Sequence, residues 1–318
     1  MNSTKTQNTI EKACIFNNFD AFSFTTMSVT SSKVFINNIT LCVIVTALSI
    51  LTTCLNSITA MAYWKSTELK KKMAHFLIMV LSLNDLAVGI ICCPLFAAMY
   101  ARELLGKPSC FLSGIQVFWF LITCGCSFKT LFVMNLERYL AIVHPIFHRT
   151  KVTKARLVKC LIVLWHFTLA LTIFAFYRPD VIFKFLSLEM SLSMAALVYI
   201  YVRIYIACTR SSKNFRRKNR INPSSKNQDT FETQQRDYLR NLKLVKSCFM
   251  VVVCFGICFL PGALVISGFQ EMNEDLHMIR RWSEILLVSN SSLNSLIFFW
   301  RNKLLRKEAQ KILKQLLC

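Results

Sequence analysis

The sequence is poor in glycine and histidine, and no set of catalytic side chains emerges from it. Only seven glycines and five histidines occur among its 318 residues. So few glycines leave no glycine-rich phosphate loop, and the scattered histidines show no Cys/His spacing of a metal site. These absences argue against an enzyme, and we predict neither catalytic residues nor an organic cofactor.

Acidic residues are also scarce: 16 Asp and Glu stand against 38 Lys and Arg, which gives a formal net charge of +22. An excess this large can indicate nucleic-acid binding. The basic residues, however, lie mainly in the links between apolar runs, where they set membrane topology beside anionic lipid head groups. We therefore expect membrane lipids as partners and no nucleic acid.

Apolar residues are abundant instead. They make up 54% of the chain, the mean hydropathy is +0.46, and phenylalanine alone contributes 26 residues. A soluble domain has roughly 45–50% apolar residues, whereas a helix that crosses a bilayer needs about 20 in succession. Runs of about that length occupy 35–63, 73–100, 110–134, 158–176, 181–207, 245–269 and 278–299.

These runs predict an all-α fold, a seven-transmembrane helix bundle. Lys and Arg concentrate in the links on the side that holds the carboxyl terminus. The positive-inside rule then places the segment 1–34 outside the cell, the helical domain 35–301 in the plasma membrane and the tail 302–318 in the cytoplasm. The first run would act as the insertion signal, since no secretory signal pattern precedes it.

The predicted outer side carries candidate modification sites. Asn2 and Asn38 begin Asn-x-Ser/Thr sequons and are glycosylation candidates. Among the 14 cysteines, Cys14 and Cys110 are the two expected outside. Most others lie within the spans, where cysteine behaves as a small hydrophobic residue.

The tail, "RNKLLRKEAQKILKQLLC", spaces its apolar residues as one stripe of a helix. We expect this amphipathic helix to lie along the membrane surface, the alternative being a helix packed against a soluble partner. Cys318 ends the stripe and is a candidate for palmitoylation, because juxtamembrane cysteines are common acceptors.

Polar side chains inside the apolar runs are costly in lipid, so each needs a reason. Any one of them alone is explained by a hydrogen bond between helices. The polar core residues are Asn56, Asp85, Ser127, Asn290 and Asn294.

The segments around these residues, taken in order, resemble the rhodopsin-like (class A) G-protein-coupled receptors. The matching segments are "LNSITA", "LSLNDLAVGIICCP", "SFKTLFVMNLERYLAIVHP", "LIVLWHF", "YVRIY", "FGICFLP", "NSSLNSLIF" and "RNKLLRKEAQKIL". The resemblance runs from about Asn56 to the carboxyl terminus. It implies a receptor that senses an extracellular ligand and activates a heterotrimeric G protein.

The resemblance also implies a switch in the third span. At rest the arginine of the motif pairs with its neighbouring acid, and on activation it swings toward the tyrosine of the fifth span as the sixth moves outward. About 100° per residue places Phe120, Ser127, Leu131 and Arg138 on one helix face. The residues that correspond to this switch are Glu137, Arg138, Tyr139, Tyr201, Phe255, Phe259, Pro261, Asn294 and Phe298.

A sodium pocket is implied at Asp85 and Ser127, with Asn290 and Asn294 completing a set of oxygens around a hard cation. A carboxylate at this depth needs a counter-charge, which sodium or a proton can supply. A simple hydrogen-bonded network is the alternative.

Several positions depart from the family pattern. Phe259 stands for the usual tryptophan, Ser295 for proline and Phe298 for tyrosine. The link after the fourth span is short and lacks a cysteine, so the usual disulfide to it cannot form. In this respect the chain is similar to the melanocortin-related branch. The departures keep open a receptor-like protein with lost or altered signalling. A seven-helix transporter is a further alternative, although inverted repeats are not evident.

The ligand pocket is expected in the upper part of the bundle, with Phe120, Glu189 and Phe259 as candidate residues. Phe120 stands where amine receptors carry an aspartate, which argues against a biogenic amine. Val288 stands where opsins carry the retinal lysine, so no retinal is expected. Glu189 would receive a cationic group of the ligand or pair with a neighbour such as Lys184.

Lys129 falls on the opposite side of the third span from Arg138. We interpret it as structural, directed toward the fourth or fifth span or lipid.

Overall fold

The computed structural model describes residues 32–221, 246, 249–261 and 274–317. Within these ranges the chain is helical and contains no strand. The main helices are α1 (Ser32–Lys65), α2 (Met73–Leu104), α3 (Cys110–Val143), α4 (Lys154–Ala175), α5 (Pro179–Ile221), α6 (Phe249–Pro261), α7 (Glu274–Arg301) and α8 (Lys303–Leu317).

The prediction of a helical membrane bundle is confirmed. Five of the described helices, α1 to α5, are long and apolar enough to cross a membrane. The described part of α6 is a shorter apolar helix, and α7 carries Arg280, Arg281 and Glu284 in its first half. Many large apolar side chains of the bundle face outward, as lipid contact requires: Val43, Val163 and Ile257 are each more than 60% exposed.

Helices pack both on their neighbours along the chain and on more distant helices. α1 contacts α2, α7 and α8, while α3 contacts α2, α4 and α5. At Gly89 the backbones of α1 and α2 come so close that an added Cβ would lie 2.6 Å from the Thr53 hydroxyl. Gly89 lies in a π-helical turn, Val88–Cys92, within α2, and the Ser49 hydroxyl donates to its carbonyl (2.7 Å).

Two apolar clusters fill the bundle. The larger one includes Phe128 and Leu131 of α3 and Phe255 of α6. The smaller one lies between α1, α2 and α7 and includes Phe96 and Val288. We refer to the two ends of the bundle as the Arg138 end and the Glu103 end.

α8 follows α7 directly at the Arg138 end. Three of its apolar side chains, Leu305, Ala309 and Ile312, are buried, and Lys65 at the end of α1 donates to Gln315 (3.3 Å). Part of the predicted apolar stripe therefore packs on other helices of the same chain, whereas Leu313 is exposed. The modification candidates Asn2 and Cys318 lie outside the described residues, and their modification stays a prediction.

Candidate functional site

A buried ion pair lies near the end of α3. Arg138 donates through Nε to Glu137 Oε2 (2.5 Å) and through Nη2 to Glu137 Oε1 (2.6 Å). The Glu137 side chain is fully buried, and only 6% of Arg138 is exposed. The two-pronged guanidinium matches the two carboxylate oxygens, so Arg138 is held against its own helix.

His148 is a third member of this group that sequence reasoning missed. Its Nε2 lies 2.8 Å from Glu137 Oε1. His148 belongs to a short helix, Pro145–Lys151, in the link between α3 and α4. The sequence shows only that His148 follows Glu137 by eleven residues. The contact depends on the turn at His144 and Pro145, which folds the link back onto α3 and could not be predicted from that spacing.

Tyr201 of α5 also has a partner in α3. Its hydroxyl donates to Asn135 Oδ1, while Asn135 Nδ2 donates to the Leu131 carbonyl (2.8 Å). The Tyr201 ring meets Phe249 of α6 at 4.9 Å between centroids. Asn135, another residue missed from the sequence, thus joins α3 to the tyrosine that the family resemblance assigns to the switch.

Aromatic rings connect α3 to α6. Phe128 and Phe255 stack at 4.9 Å between centroids, and Phe255 stacks on Phe259 at 6.0 Å. Phe259 therefore lies in the same stack as Phe255, and Pro261 ends the described part of α6. Phe298 of α7 is buried in the larger cluster. Tyr139 is not part of this aromatic stack, and its hydroxyl lies 3.4 Å from His144 Nε2.

The predicted polar core is assembled around Asp85, which is fully buried. Ser127 Oγ donates to Asp85 Oδ1 (3.0 Å), and Asn294 Nδ2 donates to Oδ2 (2.9 Å). α2, α3 and α7 thus meet at one carboxylate. No cation from the described residues is paired with it.

Two amide oxygens in this region have no hydrogen-bond partner among the described residues. They are Oδ1 of Asn290 and Oδ1 of Asn294, both buried. A buried oxygen without a donor is costly, and a carboxylate with nearby hydroxyl and amide oxygens is the kind of site that a hard cation prefers. The residues present therefore fit a sodium ion.

Asn56 ties α1 to α7. Its Nδ2 donates to the Thr52 and Ser291 carbonyls (2.9 and 3.3 Å), and its Oδ1 accepts a hydrogen bond from Ser295 Oγ (2.5 Å). Ser295 stands where the family pattern has proline, which has no side-chain donor. The departure thus adds a direct bond between helices.

The candidate pocket residue Phe120 packs edge-on against Phe96 of α2, with 5.7 Å between centroids. Phe96 in turn lies 6.1 Å from the Tyr100 ring. Toward the Glu103 end, two buried polar atoms find no hydrogen-bond partner within the described part of the chain. They are the Tyr100 hydroxyl and Nε2 of Gln116, one turn before Phe120 on α3. Gln116 was not singled out from the sequence.

Glu189 requires a correction. Its carboxylate pairs with Lys129 Nζ, which joins α3 to α5, rather than with Lys184. Glu189 therefore has a cationic partner within the bundle, which argues against it as the receiver of a ligand cation. The family pattern has a proline in the fifth span, where this chain has Ser193. Without that proline the phase of α5 could not be fixed from the sequence, and each residue of shift turns a side chain by about 100°.

Asn38 requires a second correction. Its side chain is fully buried, and Nδ2, the atom to which a glycan would be joined, donates to Glu103 Oε2 (3.0 Å). A buried nitrogen engaged in this way is not accessible to a glycan, which argues against the glycosylation predicted for Asn38. The same carboxylate receives both Nη atoms of Arg281, each at 2.6 Å.

Comparison with known proteins identifies the family. Residues 55–298 match the family described as 7 transmembrane receptor (rhodopsin family). This match covers more than half of the chain, and the protein belongs to that family. The family is one of membrane receptors and not of enzymes.

Individual relatives are more distant. The alpha-1A adrenergic receptor of Cavia porcellus is 25% identical, with 76% of this chain and 61% of the relative covered. Melanopsin of Branchiostoma belcheri is 24% identical, over 68% of this chain and 34% of the relative. Galanin receptor 2a of Danio rerio is 23% identical, over 78% of this chain and 70% of the relative. The chain thus spans 61% of the length of the adrenergic receptor that it matches.

Proposed function

We propose that the protein senses an extracellular ligand at the Glu103 end of the bundle and activates a heterotrimeric G protein at the Arg138 end. In this orientation the amino terminus lies outside the plasma membrane and the tail lies in the cytoplasm. The observation that carries the proposal is the buried pair of Glu137 and Arg138. It supports a resting state in which the G-protein cleft is closed.

Activation would exchange two contacts. Arg138 leaves Glu137, and Tyr201 leaves Asn135, so that the guanidinium and the phenol hydroxyl approach each other as α6 moves away from α3. The stacked rings of Phe128 and Phe255 would separate in the same step. A ligand favours this state only by binding it more tightly than the resting state, which makes the bundle a two-state element.

Sodium would favour the resting state. When bound, the ion supplies a positive charge beside the Asp85 carboxylate. Asp85 and Ser127 would hold it, with Oδ1 of Asn290 and of Asn294 as further oxygen ligands. Asn294 bridges α7 to α2, so ordering this cluster opposes a rearrangement of α7.

A receptor-like protein with altered signalling is the second candidate. Phe298 lacks the hydroxyl of the family tyrosine, and Ser295 bonds Asn56 where the family has proline. The first removes a hydroxyl that helps to hold the active state in the family, and the second adds a bond between α1 and α7. This candidate predicts a folded protein at the cell surface that stimulates nucleotide exchange on no G protein.

The test uses the full-length receptor, a panel of heterotrimeric G proteins and the Arg138→Ala variant. We expect the wild type to stimulate exchange on at least one G protein, and Arg138→Ala to reach the surface yet lose that exchange. Arg102→Ala is the matched control, because Arg102 is exposed and donates to the Lys107 carbonyl in the neighbouring link. Equal exchange by wild type and Arg138→Ala would refute the assigned role.

A further inference from the structure

Cys110, the first residue of α3, is disulfide-bonded. The sequence contains 14 cysteines. The cysteines free in the described part of the chain are Cys42, Cys54, Cys92, Cys93, Cys124, Cys126, Cys160, Cys208, Cys254 and Cys258. The partner of Cys110 is therefore Cys14, Cys248 or Cys318, which lie outside the described residues.

Cys248 is too far away. It immediately precedes Phe249, whose ring contacts Tyr201, and Tyr201 bonds Asn135 near the Arg138 end of α3. Asn135 follows Cys110 by 25 helical residues, or about 38 Å at about 1.5 Å per residue. Disulfide-bonded residues have Cα atoms about 4.4–6.8 Å apart.

Cys318 is excluded as the partner of Cys110 because the length of α3 separates them as well. It directly follows α8, in which Gln315 accepts a hydrogen bond from Lys65. Lys65 ends α1 beside the link to α2, and in that link the Lys70 carbonyl accepts a hydrogen bond from Lys154 at the start of α4 (2.6 Å). The end of α8 is therefore attached to the Arg138 end of the bundle.

Cys14 is within reach. It precedes Ser32, the first residue of α1, by 18 positions, and an extended chain of that length spans about 60 Å. α1 begins at the Glu103 end, because Asn38 in its second turn bonds Glu103 near the end of α2. Cys110 follows Glu103 by only seven residues, so both lie at this end.

We propose that Cys14 and Cys110 form a disulfide that fastens the amino-terminal segment to the first residue of α3. Two thiols lose two protons and two electrons, and a protein disulfide donor of the secretory pathway accepts them and becomes a dithiol. Three residues, 176–178, join α4 to α5, and none is cysteine. The amino-terminal segment thus supplies the tether that this link cannot.

The experiment is disulfide mapping of the full-length receptor from membranes. The protein is denatured in N-ethylmaleimide without reduction, digested and analysed by mass spectrometry. We expect a linked pair of peptides containing Cys14 and Cys110 that disappears on reduction. In Cys14→Ser the freed Cys110 should be alkylated, and in Cys110→Ser the freed Cys14 should be alkylated.

Cys54→Ser is the matched control, because Cys54 is free and exposed, and it should leave the linked peptides unchanged. Alkylation of both Cys14 and Cys110 in the unreduced wild type, or a bond from Cys110 to another cysteine, would overturn the proposal. The wild-type map decides this even if a variant fails to accumulate, and it needs no signalling assay. The result is therefore independent of G-protein coupling.

Discussion

Among three buried carboxylates, two are paired with arginine and one is not. They are Glu103, Glu137 and Asp85 respectively. Glu103 and Glu137 each receive a two-pronged guanidinium, from Arg281 and Arg138. Asp85 accepts hydrogen bonds from the Ser127 hydroxyl and the Asn294 amide, and within the described residues it is paired with no cationic side chain. Because an isolated buried charge is unfavourable, Asp85 is the carboxylate of the three at which we propose an external cation.

Sodium should therefore reduce signalling through Asp85. We expect basal exchange to fall when sodium replaces potassium at constant ionic strength, and Asp85→Asn to abolish the difference, because the amide no longer attracts the ion. Asp275→Asn, at an exposed acid, should keep the sodium response. A wild type indifferent to sodium would make Asp85 a member of a hydrogen-bonded network only.

The contributions of Lys129 and Glu189 to stability should depend strongly on each other. Removing either partner leaves a charge in a largely buried site, which costs about 3–5 kcal/mol. We expect Lys129→Met and Glu189→Leu each to lower the thermal unfolding temperature in detergent. The double variant should be at least as stable as either single variant, because no unpaired charge remains.

The control for this cycle is Lys71→Met, since the Lys71 and Glu68 side chains are both more than half exposed. It should leave the unfolding temperature unchanged. Strictly additive losses in the Lys129 and Glu189 variants would show that the two charges do not interact.

At the scale of helices, polar contacts determine which apolar helix faces pack against each other. α1, α2 and α7 are joined at one end by Asn38, Glu103 and Arg281. Nearer the middle, Ser295 bonds Asn56. Apolar faces in lipid have little hydrophobic reason to associate, so packing and hydrogen bonds between helices carry more of the specificity.

Breaking the cluster at Glu103 should loosen α1, α2 and α7 together. Glu103→Ala leaves Arg281 buried without its carboxylate, and we expect a loss of about 3–5 kcal/mol in stability. Thermal unfolding of the purified receptor measures it, with Asp275→Ala as the exposed-acid control. A Glu103→Ala variant as stable as the control would contradict the assigned role of the cluster.

For the molecule as a whole, apolar run length predicted the helical membrane bundle because crossing a bilayer requires a minimum number of apolar residues. The adjacent residues Glu137 and Arg138 could be paired from the sequence alone. The bond between Arg281 and Glu103 could not, because 178 residues separate them. The sequon at Asn38 is a local pattern and carries no information on burial.

If release of Arg138 from Glu137 opens the G-protein site, Glu137→Gln should open that site without a known ligand. The measurement is nucleotide exchange by G proteins of the panel, with receptor reconstituted at equal amounts in lipid nanodiscs. We expect higher basal exchange for Glu137→Gln than for wild type, because the neutral amide holds the guanidinium less strongly. The increase should be lost when Arg138→Ala is added. Unchanged exchange in Glu137→Gln, or an increase that survives Arg138→Ala, would show that this ion pair does not control the G-protein site.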